Sequence, residues 1–259
     1  MAPRVDVHLP SYRPRSLVPL LAWLATHLAQ PNAEISWYLD KRQGPNAVKR
    51  LLEGIGWNLE TERQGRLMRL RGTAPHAQSL PEPASFIAQL GAHEARLRAD
   101  YGVFSPHQVD EGTALLLEVA LNYRADVVAD IGTGYGPLAI GLVLNSVAKS
   151  AVGTEVDCLA MWLARQNAAD LNVPLELVCD PDPLRVPMTP LTVCNVPTHV
   201  NASESAQLMA GLVKRAEFGK VFAVIHASIA RRYARHFESA GLGVIDHPGK
   251  NHVVLEACT

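Results

Sequence analysis

The sequence predicts an α/β protein whose main domain is a seven-stranded, mostly parallel sheet that ends in an antiparallel hairpin. Two patterns carry this prediction. From residue 126 onward, short apolar runs rich in β-branched residues alternate with amphipathic segments, as strands joined by crossover helices do. Near the end of the chain, two strand patterns are separated only by His247–Asn251, whose Pro and Gly favour a tight connection. A smaller α/β unit precedes this domain.

The strands and helices of the main domain follow in a regular order. Strands are predicted at residues 126–130, 150–155, 175–179, 191–195, 221–226, 243–246 and 252–256. Helices are predicted at residues 137–147, 159–171, 203–215 and 229–240. Because helices separate most of these strands, we expect a parallel sheet that is covered by helices on both faces.

The amino-terminal part of the chain predicts a small α/β unit. Its patterns predict helices at 15–29 and 47–55 and strands at 34–39 and 66–70. Residues 73–85 hold three prolines and show no apolar periodicity, so we place a linker there. The sequence therefore predicts an amino-terminal domain at residues 1–80 and a main domain at residues 85–259.

Composition favours a folded, cytoplasmic protein. Hydrophobic residues make up 48% of the 259 residues and charged residues 19%, which suits a packed core. Met1–Pro14 lacks the apolar stretch of a signal peptide, and Leu17–Leu28 is too short to span a bilayer. We therefore expect a cytoplasmic location and no membrane contact, whereas the oligomeric state stays open.

Cysteine and histidine spacing argues against disulfide or metal chemistry. None of the four cysteines belongs to a CxxC pair, and the ten histidines show no ligand spacing. Cys179 and Cys194 lie in or at the end of apolar strand patterns. We therefore expect buried thiols at these positions and no metal site.

Basic residues are concentrated in the first 72 residues, although the formal net charge of the chain is only −1. This local bias would suit contacts with nucleic-acid phosphates, but solvated helix faces produce the same pattern. The basic residues concerned are Arg4, Arg13, Arg15, Lys41, Arg42, Lys49, Arg50, Arg63, Arg66, Arg69 and Arg71.

A glycine-rich loop, Asp130–Gly136, follows the first strand of the main domain and opens a helix. Ligands of open α/β sheets bind at this edge, outside the carboxyl ends of the strands. Glycines let the backbone turn tightly and approach a ligand closely, and the free N–H groups at the helix start favour an anionic group. Pro137 suits the first helical turn, where no N–H donor is needed.

The spacing of this loop distinguishes between cofactors. A dinucleotide fingerprint requires G-x-G-x-x-G, whereas this loop has glycines at 132, 134 and 136 and is led by an aspartate. Asp-x-Gly-x-Gly is the pattern of Rossmann-like methyltransferases that bind S-adenosylmethionine (SAM). Glu155, at the end of the second strand, can accept the ribose hydroxyls of a nucleoside. Asp180, after the third strand, can contact the adenine or simply begin a turn before Pro181.

The fourth strand ends in Asn195-Val196-Pro197-Thr198-His199, at the place where amino-group methyltransferases carry Asn-Pro-Pro-aromatic. The Asn side-chain oxygen and the next carbonyl can accept the two N–H hydrogens of a planar amine. They would hold its lone pair in line with the methyl group, so that positioning supplies most of the catalysis. Pro197 keeps Val196 extended.

Several stretches of the chain resemble a known family: Tyr101–Ser105, Asp110–Leu117, Asp130–Gly136, and Asn195 with Pro197 and His199. The chain is similar there to the small-subunit ribosomal RNA guanine-N2 methyltransferases of the C type. Residues 37–51 look like the end of the amino-terminal domain of that family. The resemblance covers roughly residues 35–259, and the glycine loop is the part common to the wider methyltransferase superfamily.

This resemblance implies a SAM-dependent N-methyltransferase whose acceptor is the exocyclic N2 amine of a guanine in ribosomal RNA, with the small ribosomal subunit as partner. Asn195 would orient the amine, with Val196 and Pro197 completing the catalytic motif and Thr198 and His199 lining the substrate pocket. The implied cofactor contacts are Asp130, Gly132, Thr133, Gly134, Gly136, Glu155, Asp180, Asn195, Phe104 and Ser105. Phe104 and Ser105 would also suit a lid segment that packs over the sheet.

The tetrad departs from the family pattern at two positions, because Val196 replaces a proline and Thr198 replaces the aromatic residue. A base stacked on an aromatic ring gains about 1–3 kcal/mol. Either another ring of the chain substitutes for it, or one of two alternatives holds. One is a methyltransferase that acts on another amine or amide, such as a protein glutamine or a small molecule. The other is a SAM-binding or RNA-binding protein that has lost catalysis.

Overall fold

The structure, a computed structural model, describes residues 2–8, 21–22, 26, 29–73, 83–99, 103–198 and 200–259. The chain divides into two units, Met1–Glu82 and Pro83–Thr259. A four-stranded sheet forms the first unit, and a seven-stranded sheet with a separate two-stranded hairpin forms the second. The predicted α/β class is confirmed.

Besides a short 3-10 helix at Lys41–Gln43, the first unit contains four strands and one fully described α-helix. They are β1 (Ala2–His8), β2 (Ala29–Asp40), α1 (Pro45–Gly54), β3 (Leu59–Gln64) and β4 (Leu67–Thr73). The sheet order is β1-β2-β4-β3, with β1 parallel to β2 and the other pairs antiparallel. Alternate residues of β2 point into the core, since Ile35, Trp37 and Leu39 are fully buried.

Two strands of this sheet were not predicted from the sequence, and both lie at its edges. β3 buries only Leu59 and exposes its other five residues, so it shows no apolar alternation. β1 carries Arg4 and Asp6. Edge strands face solvent on more sides and need fewer apolar residues, which removes the pattern on which strand prediction depends. The predicted helix at 15–29 lies largely outside the described residues.

The second unit begins with elements that the sequence did not predict. A hairpin, β5 (Ser85–Leu90) with β6 (His93–Arg98), occupies positions that follow the predicted linker. Next comes α2 (Glu111–Ala120), which has Asp110 as its N-cap. α2 buries Leu116 and Leu117.

The remaining elements form the predicted alternation of strands and helices. They are β7 (Val127–Ile131), α3 (Pro137–Leu144), β8 (Ser150–Thr154), α4 (Cys158–Asp170), β9 (Leu175–Val178), β10 (Leu191–Asn195), α5 (Ala202–Phe218), β11 (Lys220–His226), α6 (Ala227–Ser239), β12 (Gly243–Pro248) and β13 (His252–Cys258). The sheet order is β12-β13-β11-β10-β7-β8-β9. Only the pairings that involve β13 are antiparallel, which confirms the predicted carboxyl-terminal hairpin.

The two faces of this sheet have separate cores. On one face, side chains of α5 and α6 such as Leu212 and Phe237 pack with Ala129 and Ile131 of β7. On the other face, α2 meets α3, where Gly141 lies against Leu117. In the sheet, β8 and β10 lie on opposite sides of β7. The chain runs from β7 to β8 and β9 on one side, and it then crosses back to form β10 on the other side of β7. The carboxyl ends of β7 and β10 therefore form the topological switch point where α/β sheets bind ligands.

None of the helices in the described part of the chain is long and apolar enough to cross a bilayer.

Candidate functional site

The glycine loop lies at the switch point, between β7 and α3. Gly132, Gly134 and Gly136 have φ angles of 75°, 60° and 94°, a backbone region that favours glycine. The N–H groups of Gly132 and Thr133 donate to the carbonyl of Thr154, at 2.9 and 3.0 Å. A Cβ added to Gly132 or Gly134 would meet no atom of the described residues within 4 Å. The loop is therefore anchored to β8 and has open space beside two of its glycines.

Asp130 supports this loop from inside the protein. Its side chain is buried, and one carboxylate oxygen accepts the N–H of Ala139 in the first turn of α3 at 3.1 Å. Burial raises the pKa of Asp130 to about 7, and the nearby charge of Glu155 acts in the same direction, although the Ala139 hydrogen bond opposes them. Asp130 therefore holds the start of α3 in place.

Glu155 binds the loop from the neighbouring strand end. One oxygen of its carboxylate accepts the N–H of Gly134 at 2.7 Å. The other accepts the N–H groups of Val156 and Asp157, at 2.7 and 2.8 Å. The side chain is only 9% exposed. These three donors fix the position of the carboxylate at the edge of the loop.

The segment before α2 is attached to the loop through Tyr135. The Tyr135 hydroxyl donates toward the carbonyls of Ser105 and Gln108, at 3.2 and 3.4 Å. Ser105 has a φ of 51°, and its hydroxyl donates to Gln108 at 2.8 Å, so the segment turns sharply here. The neighbouring Phe104 is 71% exposed. The structure thus brings Ser105 to the glycine loop and leaves the ring of Phe104 in solvent.

Asn195 ends β10, beside the loop, and its amide is fixed by α2. The Nδ2 group donates to Oδ2 of Asp110 at 3.0 Å and to Oγ1 of Thr113 at 2.9 Å. An ionised carboxylate only accepts hydrogen bonds, so the amide nitrogen must face Asp110. The side-chain oxygen of Asn195 is consequently the end that remains for a ligand.

The residues that follow Asn195 in the motif differ in their exposure to solvent. Val196 is buried, and its N–H donates to the carbonyl of Val224 at 3.1 Å, which extends the β10–β11 pairing by one step. Pro197 and Thr198 are exposed. His199, predicted as a pocket residue, lies outside the described residues.

Two histidines that were not predicted as site residues lie at the same edge of the sheet. His226 ends β11, and its ring lies edge-on to that of His252, with centroids 5.6 Å apart. Asn195 is paired with Val224 of β11. His226 lies two residues beyond Val224 and therefore on the same face of the sheet as Asn195. His226 is exposed, whereas Nδ1 of His252 is buried with no hydrogen-bond partner among the described residues and lies 3.8 Å from Oε1 of Glu111. No motif marks these residues, because β11 and β13 meet only in the folded sheet.

Asp180 has partners that fit a turn. One oxygen accepts the N–H of Asp182 at 2.8 Å, and the other lies 3.1 Å from Nε of Arg185. These contacts favour the turn interpretation that the sequence allowed for this residue. Within the described ranges, no three His, Cys, Asp or Glu side chains form a group that could hold a metal ion.

The expectation of buried thiols is wrong for one of its two cysteines. Cys194 is buried in β10, but Cys179 is exposed just after the end of β9. Burial in β10 also raises the pKa of the Cys194 thiol. The exposure of Cys179 reflects its position at the outermost strand of the sheet, where no further strand covers it.

Comparisons with known proteins agree with this architecture. Residues 94–225, slightly more than half of the chain, match the family described as methyltransferase small domain. The solved 16S rRNA N2 methyltransferase (RsmC) of T. thermophilus, in complex with AdoMet and guanosine, is similar with a TM-score of 0.76 and 20% identity. That match covers 99% of this chain and 72% of the other. A ribosomal protein L11 methylase from Lactobacillus delbrueckii subsp. bulgaricus gives a TM-score of 0.50 and 21% identity, covering 66% and 97%.

Proposed function

Because the chain belongs to the methyltransferase small domain family, we propose that it transfers the methyl group of SAM to the exocyclic N2 amine of a guanine in ribosomal RNA. The T. thermophilus protein supports this choice of cofactor and acceptor. It is a 16S rRNA N2 methyltransferase solved with AdoMet and guanosine, and its fold matches nearly the whole of this chain.

The residues at the glycine loop fit SAM. Open space adjoins Gly132 and Gly134, and the carboxylate of Glu155 lies at the edge of that space. A carboxylate offers about four acceptor positions, and three backbone donors already occupy Glu155. Accepting both ribose hydroxyls therefore requires Glu155 to release one of these donors, and we propose the N–H of Gly134 because that residue borders the open space. That N–H then becomes available to the ligand. SAM, when bound, supplies an electrophilic methyl group on a sulfonium.

The observation that carries the acceptor assignment is the fixed amide of Asn195. Asp110 and Thr113 occupy its two N–H donors, so its oxygen accepts an N–H of the incoming amine. The lone pair of such an amine is delocalised into the base, and holding it in line with the methyl group supplies the missing reactivity. With SAM bound, the amine would take its methyl group and S-adenosylhomocysteine would leave, while the oxygen of Asn195 would hold one N–H until the nitrogen loses a proton to water.

His226 offers a ring at the same edge of the sheet as Asn195, whereas Thr198 supplies none. Histidine rings stack on unpaired bases as other aromatic side chains do. The ring is exposed at the carboxyl end of β11 and is held by the hydrogen bond between its Nδ1 and Ser228 Oγ at 2.7 Å. We assign it the stacking role, and we expect His226→Ala to weaken RNA binding by about 1–3 kcal/mol without changing SAM binding.

The decisive experiment compares Asn195→Ala with the unmodified protein. We expect methyl transfer to small-subunit RNA or assembled subunits to fall by about 100-fold or more, because amine positioning is lost. Binding of S-adenosylhomocysteine, measured by calorimetry, should stay the same. Asn122→Ala is the matched control, because Asn122 is exposed in the turn before β7, at the opposite edge of the sheet from Asn195, and should leave transfer intact.

Three outcomes would contradict this proposal. Undiminished transfer by Asn195→Ala would remove the assigned role of that side chain. Transfer to a protein glutamine or a small molecule, with none to RNA, would replace the acceptor. Cofactor binding without transfer to any of these would indicate a protein that acts by association, an alternative that the substitution of Thr198 for the motif aromatic favours.

A further inference from the structure

Two cysteines that are distant in sequence meet at the border of the candidate cofactor site. Cys158 is the first residue of α4, and Cys179 directly follows β9. Their sulfur atoms lie 3.8 Å apart, and both side chains are exposed. The parallel pairing of β8 and β9 aligns Thr154 with Val178 and so brings the two segments side by side.

We propose that Cys158 and Cys179 form a reversible disulfide and that this disulfide weakens cofactor binding at the neighbouring site. The second half of the proposal rests on the proposed function, whereas the first does not. A disulfide bond is about 2.05 Å long, so the two sulfurs must approach by a little less than 2 Å. One thiol begins a helix and the other follows an edge strand, positions that can adjust by this amount.

The chemistry requires an oxidant, and hydrogen peroxide is sufficient. Peroxide transfers an oxygen atom to one sulfur, which gives a sulfenic acid and one water. The second thiol then attacks this sulfur, so the S–S bond forms and a second water leaves. The pKa of the Cys179 thiol is raised by its hydrogen bond with Cys158, by desolvation and by nearby negative charge. Because the thiolate is the reactive form, oxidation should accelerate as pH rises.

The coupling to the cofactor site follows from the turn between β8 and α4. Glu155, the proposed ribose ligand, lies three residues before Cys158. Its carboxylate accepts the N–H of Asp157, and the side chain of Asp157 in turn caps α4. Drawing Cys158 toward Cys179 therefore moves the turn that positions Glu155. Asp180, which directly follows Cys179, moves with the other sulfur.

The test uses the full chain, oxidised with hydrogen peroxide and alkylated before digestion. Mass spectrometry should find a peptide that links Cys158 to Cys179, and two of the four thiols should be lost. Binding of S-adenosylhomocysteine should weaken by about fivefold or more and recover after treatment with dithiothreitol. Cys158→Ser and Cys179→Ser should abolish both effects, whereas Cys258→Ser, the control, should keep them.

The disulfide, its coupling to ligand binding and the proposed function would each be contradicted by a different result. A disulfide between other residues or between molecules, or no disulfide at all, would overturn the assignment of this pair. A Cys158–Cys179 disulfide with unchanged ligand affinity would overturn the coupling. If the reduced protein bound no S-adenosylhomocysteine, the proposed function would fail, while the peptide analysis would still decide the fate of the disulfide.

Discussion

At the scale of single residues, the candidate site depends on hydrogen bonds that fix its side chains without any ligand. Asp110 shows this most clearly, because one carboxylate oxygen has two partners. It accepts the N–H of Thr113 at 3.2 Å, which caps α2, and the amide of Asn195 at 3.0 Å. One side chain therefore stabilises the helix and also orients the proposed catalytic amide.

These two roles of Asp110 can be separated by substitution. Asp110→Ala removes both contacts and should cost about 1 kcal/mol of unfolding free energy through the lost cap. Asp110→Ser restores a capping oxygen on a shorter side chain that does not reach Asn195. We expect both variants to lose methyl transfer by about 100-fold, but only Asp110→Ala to lose stability. Full activity in Asp110→Ser, measured beside its urea unfolding curve, would contradict the positioning role.

Asp130 gives a prediction on pH. Its folded-state pKa of about 7 lies above its ordinary value of 3.8, so the folded protein favours the protonated form. Unfolding free energy should therefore fall as pH rises from about 4 to 7, by up to about 4 kcal/mol from this group. Asp130→Asn keeps an oxygen for the N–H of Ala139 and should remove this dependence.

Denaturant unfolding curves of both proteins at several pH values provide the measurement. Asp126→Asn is the control, since that exposed carboxylate pairs with Lys149 at 2.8 Å on the surface and should matter little. Parallel curves for the unmodified protein and Asp130→Asn between pH 4 and 7 would argue against the raised pKa.

At the scale of elements, the glycine loop is shaped by the strand beneath it as well as by its own glycines. Gly153 lies inside β8, opposite Asp130 in the pairing of β7 with β8. A Cβ at Gly153 would lie 2.7 Å from the carbonyl oxygen of Asp130 and would also collide with the hydroxyl of Thr133. The absence of a side chain at this strand position lets the loop settle against the sheet.

Gly153→Ala should therefore destabilise the protein and displace the loop. Overpacking of this kind costs about 1–3 kcal/mol, and we expect a lower melting temperature together with weaker SAM binding. Gly243→Ala is the matched control in another strand, because its Cβ would lie 3.7 Å from the nearest atom, the carbonyl oxygen of Cys258. If the two alanine variants melted and bound alike, tight packing under the loop would not be needed.

At the scale of the whole molecule, charge is divided unequally between the two units. Residues 1–82 contain eleven Lys and Arg against seven Asp and Glu, so the excess of acidic residues falls in 83–259. Part of the basic charge is already paired, because Arg71 contacts Glu34 and Arg69 lies 3.6 Å from Glu62. The remaining surplus predicts that the first unit contacts the phosphates of the proposed RNA acceptor.

This division of charge predicts that binding of the cofactor and docking of RNA can be separated by removing the first unit. A chain of residues 83–259 contains the glycine loop, Glu155 and Asn195, so it should bind S-adenosylhomocysteine as the full chain does. It should methylate ribosomal RNA at least about 10-fold more slowly at low RNA concentration, because phosphate contacts are lost. Calorimetry and a filter assay with radiolabelled SAM measure the two properties. Equal RNA methylation by both chains would exclude a role for the first unit in docking.

The sequence alone predicted the seven-stranded sheet, its closing hairpin and the loop at Asp130–Gly136. These features leave local signals, because apolar periodicity and glycine spacing reflect the conformation of neighbouring residues. Edge strand β3 escaped prediction, since an exposed strand has no apolar alternation. The hairpin of β5 and β6 also escaped prediction, because its short pattern directly follows the proline-rich residues 73–85. Helix α2 escaped because it follows Phe104 and Ser105, which suit an irregular lid segment.

Only the tertiary structure decided which side chains meet. The contact of Asn195 with Asp110 spans 85 residues, and that of Gly134 with Glu155 spans 21. Cys158 and Cys179, which no spacing pattern links in the sequence, approach each other because β8 and β9 are neighbours. Such contacts depend on which elements pack side by side, and residue patterns within one element carry no information about that choice. The sequence therefore specified the scaffold and the loop, and packing selected the partners that orient the site.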